Sequence, residues 1–525
     1  MHTATLRSAV ALLALLIAAP LAQAQVRVTA DITTNTTWTP DNEYLLDGLV
    51  FVDNNATLTI EPGTVVRGVR DDRITTGEGA SALVVRRGSR LVADGLNPDG
   101  SIDPIIFTAE DDDLSDPGDF LPTDRGEWAG IILLGRASTN QPTTDNQIEG
   151  IDFDPAQPVS ATNQPALFGG TEDADDSGII RYVSIRYSGF SISGIEGDEI
   201  QGLTLGGVGS GTLIDYIEIF SSNDDGIEFF GGTVNVKHAA VLFPFDDAFD
   251  YDMGWRGNGQ YWFTLAGLDA AGRGGEHDGG DDGGDDAMPF AIPVISNATY
   301  IGAGETEPAN GDGNDWAFRM RDGAGGFYCN SIFTQFPDRA IDLENFSDVA
   351  RVDSYTQFEN GRLKIENNVF WDFGRGDTFD DISDAGYSED NPPAGGDAFD
   401  DAFATYLADN NVLQNPGIFV QRDDLNSDGT PDTVTDFNPV PQNGTLPGAD
   451  FSASELTDFF DEVSYVGAFE PRGDGTTWLD GWSFASEGGF VDTPVQGTPT
   501  RGAFGLRAFP NPASGAATVA ITLER

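Results

Sequence analysis

The chain carries a single cysteine, Cys329, in 525 residues, so no intrachain disulfide can form. Stability has to come from packing, hydrogen-bond ladders and bound ions. Basic residues are scarce: 27 Lys plus Arg face 86 Asp plus Glu, a formal net charge of −59. That balance excludes nucleic acid as a partner, because phosphate binding draws on clustered Lys and Arg. An anionic membrane surface is excluded on the same ground. Of the 3 histidines, only His238 and His277 lie beyond the first few residues. Long apolar runs are missing too. The one at 9–19 is too short for a membrane-crossing helix, so no transmembrane span is expected. Helical periodicity is almost absent, with one candidate helix at 397–407.

Glycine is plentiful, at 65 residues, and strand-like runs are short and separated by Gly, Asn and Asp. The strongest pattern is an echo. Asn223-Asp224-Asp225-Gly226-Ile227-Glu228-Phe229-Phe230-Gly231-Gly232 returns 22 residues later as Phe245-Asp246-Asp247-Ala248-Phe249-Asp250-Tyr251-Asp252-Met253-Gly254. Asp224 matches Asp246, Asp225 matches Asp247, Glu228 matches Asp250, and Ile219 matches Val241. Near the start, Ile60 matches Val85 and Val66 matches Leu91, a spacing of 25. Fixed periods in this range mark stacked repeats. With one period per coil, matching side chains stack about 4.8 Å apart and build ladders. Asn297, Asn330 and Asn367 each precede an apolar run, and they predict tight turns in left-handed backbone with a hydrogen-bonded Asn ladder. The prediction is all-β: a right-handed parallel β-helix with long acidic loop insertions.

The echo extends to Glu276-His277-Asp278, which aligns Glu228, Asp250 and Glu276 as one acidic ladder and Asp252 with Asp278 as the next. Arg319, Arg321, Asp342 and Glu344 continue that face. Like charges at strand spacing repel by roughly 1 to 4 kcal/mol per pair. A bound cation, an Arg on a neighbouring rung, or proton uptake has to compensate. Calcium, which takes six to eight oxygens in flexible geometry, is the predicted cofactor. Its candidate ligands are Asp224, Asp225, Glu228, Asp246, Asp247, Asp250, Asp252, Glu276 and Asp278. A second candidate is the loop Asp424-Leu425-Asn426-Ser427-Asp428-Gly429-Thr430-Pro431-Asp432. Its oxygen donors Asp424, Asn426, Asp428 and Asp432, with Gly429 at the sixth place, follow the first part of an EF-hand-type loop. The run Gly279–Asp286 reads as a solvated acidic loop.

These features together, TLTIEPGTVVRG, GSRLVADG, WAGIILLGRA, the acidic echo and the Asn turns, resemble the pectin-lyase-like superfamily of parallel β-helices over about residues 26–375. The resemblance implies the fold and a polysaccharide partner. Hydrolases of that superfamily carry Asn-x-Asp, Asp-Asp, Gly-His-Gly and Arg-x-Lys motifs. Asn223-x-Asp225 and Asp246-Asp247 match the first two, while no Gly-His-Gly or Arg-x-Lys follows. The catalytic candidates under this reading are Asp225, Asp247, Asp250 and His277, with Arg319 or Arg321 as the base of a lyase. Trp255, Tyr261 and Trp262 are candidate sugar platforms. Adhesion or glycan binding is the leading expectation, a glycoside hydrolase or lyase the alternative, and a structural surface-layer or matrix protein the third.

Residues 1–24 read as a signal peptide, with Arg7 before the apolar run and Ala22-Gln23-Ala24 as the cleavage site. The β-helix is expected over 25–375 and an acidic, loop-rich insertion over 376–460. A final coil follows over 461–483, with Trp478 to Trp482 plugging the open core end, then a linker over 484–503. The segment 504–525, built on Phe509-Pro510-Asn511-Pro512, resembles the start of a type IX secretion sorting domain. It implies type IX secretion machinery as a partner and a secreted or bacterial cell-surface location.

Overall fold

The computed structural model describes residues 24–151, 153–160, 163–191, 199–269, 272–280, 284–304, 315–346, 352–387, 396–424, 431–472 and 475–491, and the strands Arg507–Pro510 and Ala517–Ala520. The signal segment 1–23, residues 425–430 including Asn426 and Asp428, and residues 492–503 of the predicted linker lie outside the described residues; the first part of that linker, 484–491, is packed and helical at its start. The tail contributes one antiparallel pair, Arg507–Pro510 with Ala517–Ala520.

The chain winds as a right-handed parallel β-helix. One sheet has ten parallel strands, and the other two sides of each coil merge into an eighteen-stranded sheet. They merge because single strands serve both sides. Gly178–Arg186, Leu213–Phe220, Asn235–Leu242 and Asn258–Leu265 each bend once, at Tyr182, Tyr216, His238 and Tyr261. All four residues have positive φ, between 44° and 60°. Their rings stack along the axis, with centroids 4.4, 4.1 and 4.7 Å apart. In later coils the same corner is held by Asn297, Asn330 and Asn367, with φ of 57°, 55° and 56°. Asn tolerates this conformation because its short side chain can bond locally. The predicted ladder is present: Asn367 Nδ2 donates to Asn330 Oδ1 at 2.7 Å.

The 22-residue echo stacks in register, Glu228 on Asp250 and Ile219 on Val241. The 25-residue pairing does not. Ile60 stacks on Ala93, and Val85 on Val52. Thr57–Ile60 and Ala82–Val85 each enter a strand–turn–strand corner, but at different corners of the coil, so similar sequence sits on different sheets.

Inward ladders form one continuous core that includes Trp255 and Trp262. Both rings are fully buried, on Phe229 at 4.1 Å and Phe249 at 4.4 Å, and Tyr261 is buried as well. Trp255 and Trp262, proposed as sugar platforms, are therefore packing residues, and the third, Tyr261, has its ring face taken up by His238. The C-terminal end of the core is closed by α1 (Ser354–Glu359), α2 (Phe379–Ile382) and α3 (Gly396–Asn410), through Tyr355, Phe379, Phe403 and Leu407. The predicted Trp478–Trp482 plug is elsewhere. The chain returns along the flank of the solenoid, where Val434, Phe437, Phe469 and Leu479 cover the outward side chains Phe220, Leu242, Phe263 and Leu265. Outward apolar residues need a cover, and this segment supplies it. Among the described residues no helix is long and apolar enough to cross a membrane.

Candidate functional site

The ten-stranded sheet carries the acidic residues on its outer face. Its outward ladder runs Phe51, Val84, Ile132, Thr204, Glu228, Asp250, Glu276, Arg319, Asp342 and Asp384. The first rungs are apolar because the excursion between Leu134 and Leu203 folds over them, packing Ile148, Ile151, Phe168 and Ile200 on Phe51, Val84 and Ile132. The face turns polar at Thr204, which is buried and donates to Gln201 of the same excursion at 2.6 Å.

Arginine divides the strip into two halves. In the downstream half, Glu276 is surrounded by three guanidinium groups: Arg273 at 2.8 Å, Arg321 at 3.0 Å and Arg319 at 3.9 Å. Arg321 also grips Asp278 at 2.6 Å, Arg319 lies 3.2 Å from Asp342, and Arg273 lies 3.5 Å from Asp247. Glu276, Asp278 and Asp247, predicted as calcium ligands, each have an arginine beside them, although burial still raises Asp247 and Asp278 above the usual carboxylate range. Asp247 is further committed, since its carboxylate accepts the backbone N–H of Arg273.

In the upstream half, Asp225, Glu228 and Asp250 have no arginine within ion-pair distance among the described residues, although Arg321 acts on Asp250 from further off. Oxygens of Asp225, Glu228 and Asp250 lie within 4.8 Å of one another, and so do oxygens of Asp224, Asp225 and Asp246. Asp225 and Glu228 are each only 7% exposed. Glu228 Oε2 and Asp250 Oδ1 are buried without a hydrogen-bond partner among the described residues. Burial, reinforced by the neighbouring carboxylates, raises Asp224, Asp225, Glu228 and Asp250 well above the usual carboxylate range. Burying an unpaired anion is costly unless it is protonated or meets a cation. The donor set, all hard carboxylate oxygen with two orphaned atoms, fits calcium. Asp252 stands beside Phe230 on the outer row, and its carboxylate accepts the N–H of Met253.

The sequence does not point to Glu149 and Glu199. Both lie in or beside the covering excursion, yet both add to the charge around Asp224, and Glu149 also acts on Glu228. Gln201 Nε2 ties the two groups together, donating to Glu149 Oε1 at 2.5 Å and to Asp224 Oδ2 at 3.3 Å. No repeat marks these residues, because they come from an excursion and not from a coil.

His277 leaves the catalytic set. It alternates with Glu276 and points inward, fully buried, stacked on Tyr251 at 4.1 Å. Its Nδ1 donates to the Glu276 carbonyl at 2.6 Å and its Nε2 accepts from the Tyr328 hydroxyl at 2.6 Å. Burial pushes its pKa down to about 3, against the pull of the Glu276 carbonyl. Period-2 alternation puts acids outward and the imidazole inward. Asp225 also has a structural task, since its Oδ1 accepts the backbone N–H of Asp247 at 2.8 Å. In the second predicted calcium loop, Asp424 and Asp432 are described, while its central donors are not.

No curated protein and no solved structure matches the chain. One family profile does, described as "Pectate-lyase like beta helix domain", over residues 30–398. That span takes in the coils, the acidic strip and the start of α3, and with more than half of its length matched the chain belongs to the pectate-lyase-like β-helix family.

Proposed function

We propose that this is a secreted or cell-surface protein that uses a calcium-holding carboxylate face to bind extracellular polysaccharide. Membership of the family supports a polysaccharide-related role. The observation that carries the calcium reading is the pair of buried, unpartnered oxygens, Glu228 Oε2 and Asp250 Oδ1, beside Asp225. A cation at Asp225, Glu228 and Asp250 leaves coordination positions for sugar hydroxyl or carboxylate oxygen, and Asp224 and Asp246 extend the donor set. Secretion through the type IX machinery belongs to the same proposal and rests on the 504–525 resemblance.

Binding is favoured over turnover by the state of the arginines. A lyase base needs a pKa near the working pH. Burial disfavours the charged guanidinium of Arg321, but Asp278 and Glu276 outweigh it and hold the group protonated, above its ordinary value. Arg273 is held the same way by Asp247 and Glu276. A second reading, polysaccharide cleavage, draws on carboxylates one strand apart, about 5 Å, the spacing of a retaining pair.

The test is a panel of polyuronides and neutral polysaccharides, each assayed for retention of the protein and for new reducing ends or unsaturated products, with calcium or with chelator. Calcium-dependent retention without product is the expected result. Product formation that Asp250→Asn abolishes would replace binding with catalysis, and retention indifferent to chelator would remove calcium from the function.

A further inference from the structure

A cleft lies at the left-handed corner, away from the carboxylate face. The returning C-terminal segment runs along that corner and is stitched to it wherever the corner residue is asparagine. Asn297 Nδ2 donates to the Tyr465 carbonyl at 2.8 Å, Asn330 Nδ2 to the Asp450 carbonyl at 3.1 Å, and Asn367 Nδ2 to the Gly448 carbonyl at 3.0 Å. Where the corner changes to Tyr216, His238 and Tyr261 the corner side chain no longer donates to a carbonyl of the segment; Tyr261 still bonds the Tyr465 side chain and Gln260 bonds Asp461, and beside these contacts a cleft of about 660 Å³ opens. Tyr465 and Trp478 of the returning segment form its other wall.

His238 is the polar centre of this cleft. Its Nδ1 donates to Asp215 Oδ1 at 2.7 Å, and the ring is clamped between Tyr216 and Tyr261. That leaves Nε2 without a partner among the described residues, oriented by a carboxylate and held in a fixed plane. The aromatic faces are largely used up: the three corner rings cover each other, and Trp478 stacks on Phe469 at 5.3 Å. The cleft therefore presents ring edges, with their positive rim, and hydrogen-bonding groups, including Ser464, Thr476 and Thr477. Asp461, Glu462 and Glu470 line it; Lys237 pairs with Asp461 at 2.9 Å and Arg472 with Glu470 at 2.6 Å, which leaves the lining net acidic through Glu462. An acidic margin repels a polyanion, while hydroxyl-rich neutral matter finds donors, acceptors and an apolar floor.

We infer that the cleft lined by His238, Tyr261, Tyr465 and Trp478, whose indole packs edge-on against His238 at 5.4 Å, is a second binding site, selective for a neutral sugar chain, with His238 Nε2 hydrogen-bonding a sugar hydroxyl. It is independent of the carboxylate face and of calcium.

The protein offers a clean probe, because His238 and His277 are the only histidines after His2 and His277 is sealed in the core. Imidazole nitrogen shifts are followed by NMR while cello-, xylo- and manno-oligosaccharides are titrated in, with an oligogalacturonate as the acidic control. The expected result is a saturable shift at His238 with at least one neutral oligosaccharide, none with the oligouronate, and no change at His277. His238→Asn keeps a residue at home in the left-handed corner, as Asn297 is two coils later, and should weaken binding by about tenfold, the loss of one oriented hydrogen bond. Its thermal midpoint guards against misfolding as the cause. The shift should persist in Asp250→Asn and in chelator. A His238 resonance indifferent to every neutral oligosaccharide overturns the inference. So does an equal response to the oligouronate, or unchanged affinity in His238→Asn.

Discussion

Glu228 and Asp250 stand at one register position on adjacent parallel strands, and each has a carboxylate oxygen that is buried and unpartnered. Two anions in this relation destabilise the fold unless a third charge joins them. Asp250→Asn keeps the shape and removes one charge. In chelator the variant should melt higher than the parent. In calcium the order should reverse, because the parent gains about 2.7 kcal/mol when calcium stands at 100 times its dissociation constant. Differential scanning calorimetry in both buffers reads the crossing.

Acid clusters of this kind also set a pH dependence. Burial raises Asp225, Glu228 and Asp250, and it pushes Asp278 to about 7 and Asp342 and Glu344 to about 8. Their folded-state values lie above the unfolded ones, so the folded chain holds more protons and stability falls as pH rises. The window opens near the ordinary values of 3.8 and 4.5 and closes near 8. In chelator, the melting temperature should therefore fall steadily from mildly acidic to mildly alkaline pH. Asp342→Asn should flatten the upper part of that slope, and calcium should flatten the part due to Glu228 and Asp250.

His277 tests the division between face and core. With its pKa near 3, the imidazole should show no titration between about pH 5 and 8 by NMR. His277→Ala should destabilise by about 3 to 5 kcal/mol, as removal of a buried ring does. It should leave calcium affinity close to that of the parent, which isothermal titration can check.

Asn330 tests the corner. Its side chain accepts from Asn367 at 2.7 Å and from the Asp450 N–H at 2.8 Å, at a φ of 55°. Asn330→Ala should lose about 3 kcal/mol, from left-handed backbone and the partners it strands. Asn330→Gly should recover about 1 kcal/mol of that by accepting the conformation. Denaturant titration separates the two.

The returning segment is anchored by a buried carboxylate. Glu218 accepts the N–H of Phe484 at 2.7 Å and of Ala485 at 2.8 Å, at the start of α4 (Phe484–Glu487), and the Ser184 hydroxyl at 2.6 Å. Bonds to a charged acceptor contribute about 1.5 to 3 kcal/mol each. Glu218→Ala should free the segment, giving earlier limited proteolysis within about residues 470–491 while the coils stay folded by circular dichroism.

The repeat spacing was enough to place Glu228, Asp250 and Glu276 on one ladder and Asn297, Asn330 and Asn367 at one corner. Both rest on local chemistry that recurs each coil, so period alone carries them. The same reasoning misread Ile60 with Val85, because strand–turn–strand corners look alike wherever they fall around the coil.

Sequence by itself determined the solenoid, its acidic strip and the left-handed Asn turns, since each is a property of residues repeated at coil spacing. Only the tertiary structure decided which acids keep an unanswered charge. That depends on where Arg273, Arg319 and Arg321 reach, on the excursion that brings Glu149 and Glu199 alongside, and on the alternation that turns His277 inward. It also placed the returning segment, and with it the cleft at His238, because a contact between residues some 240 positions apart leaves no trace in a 22-residue period.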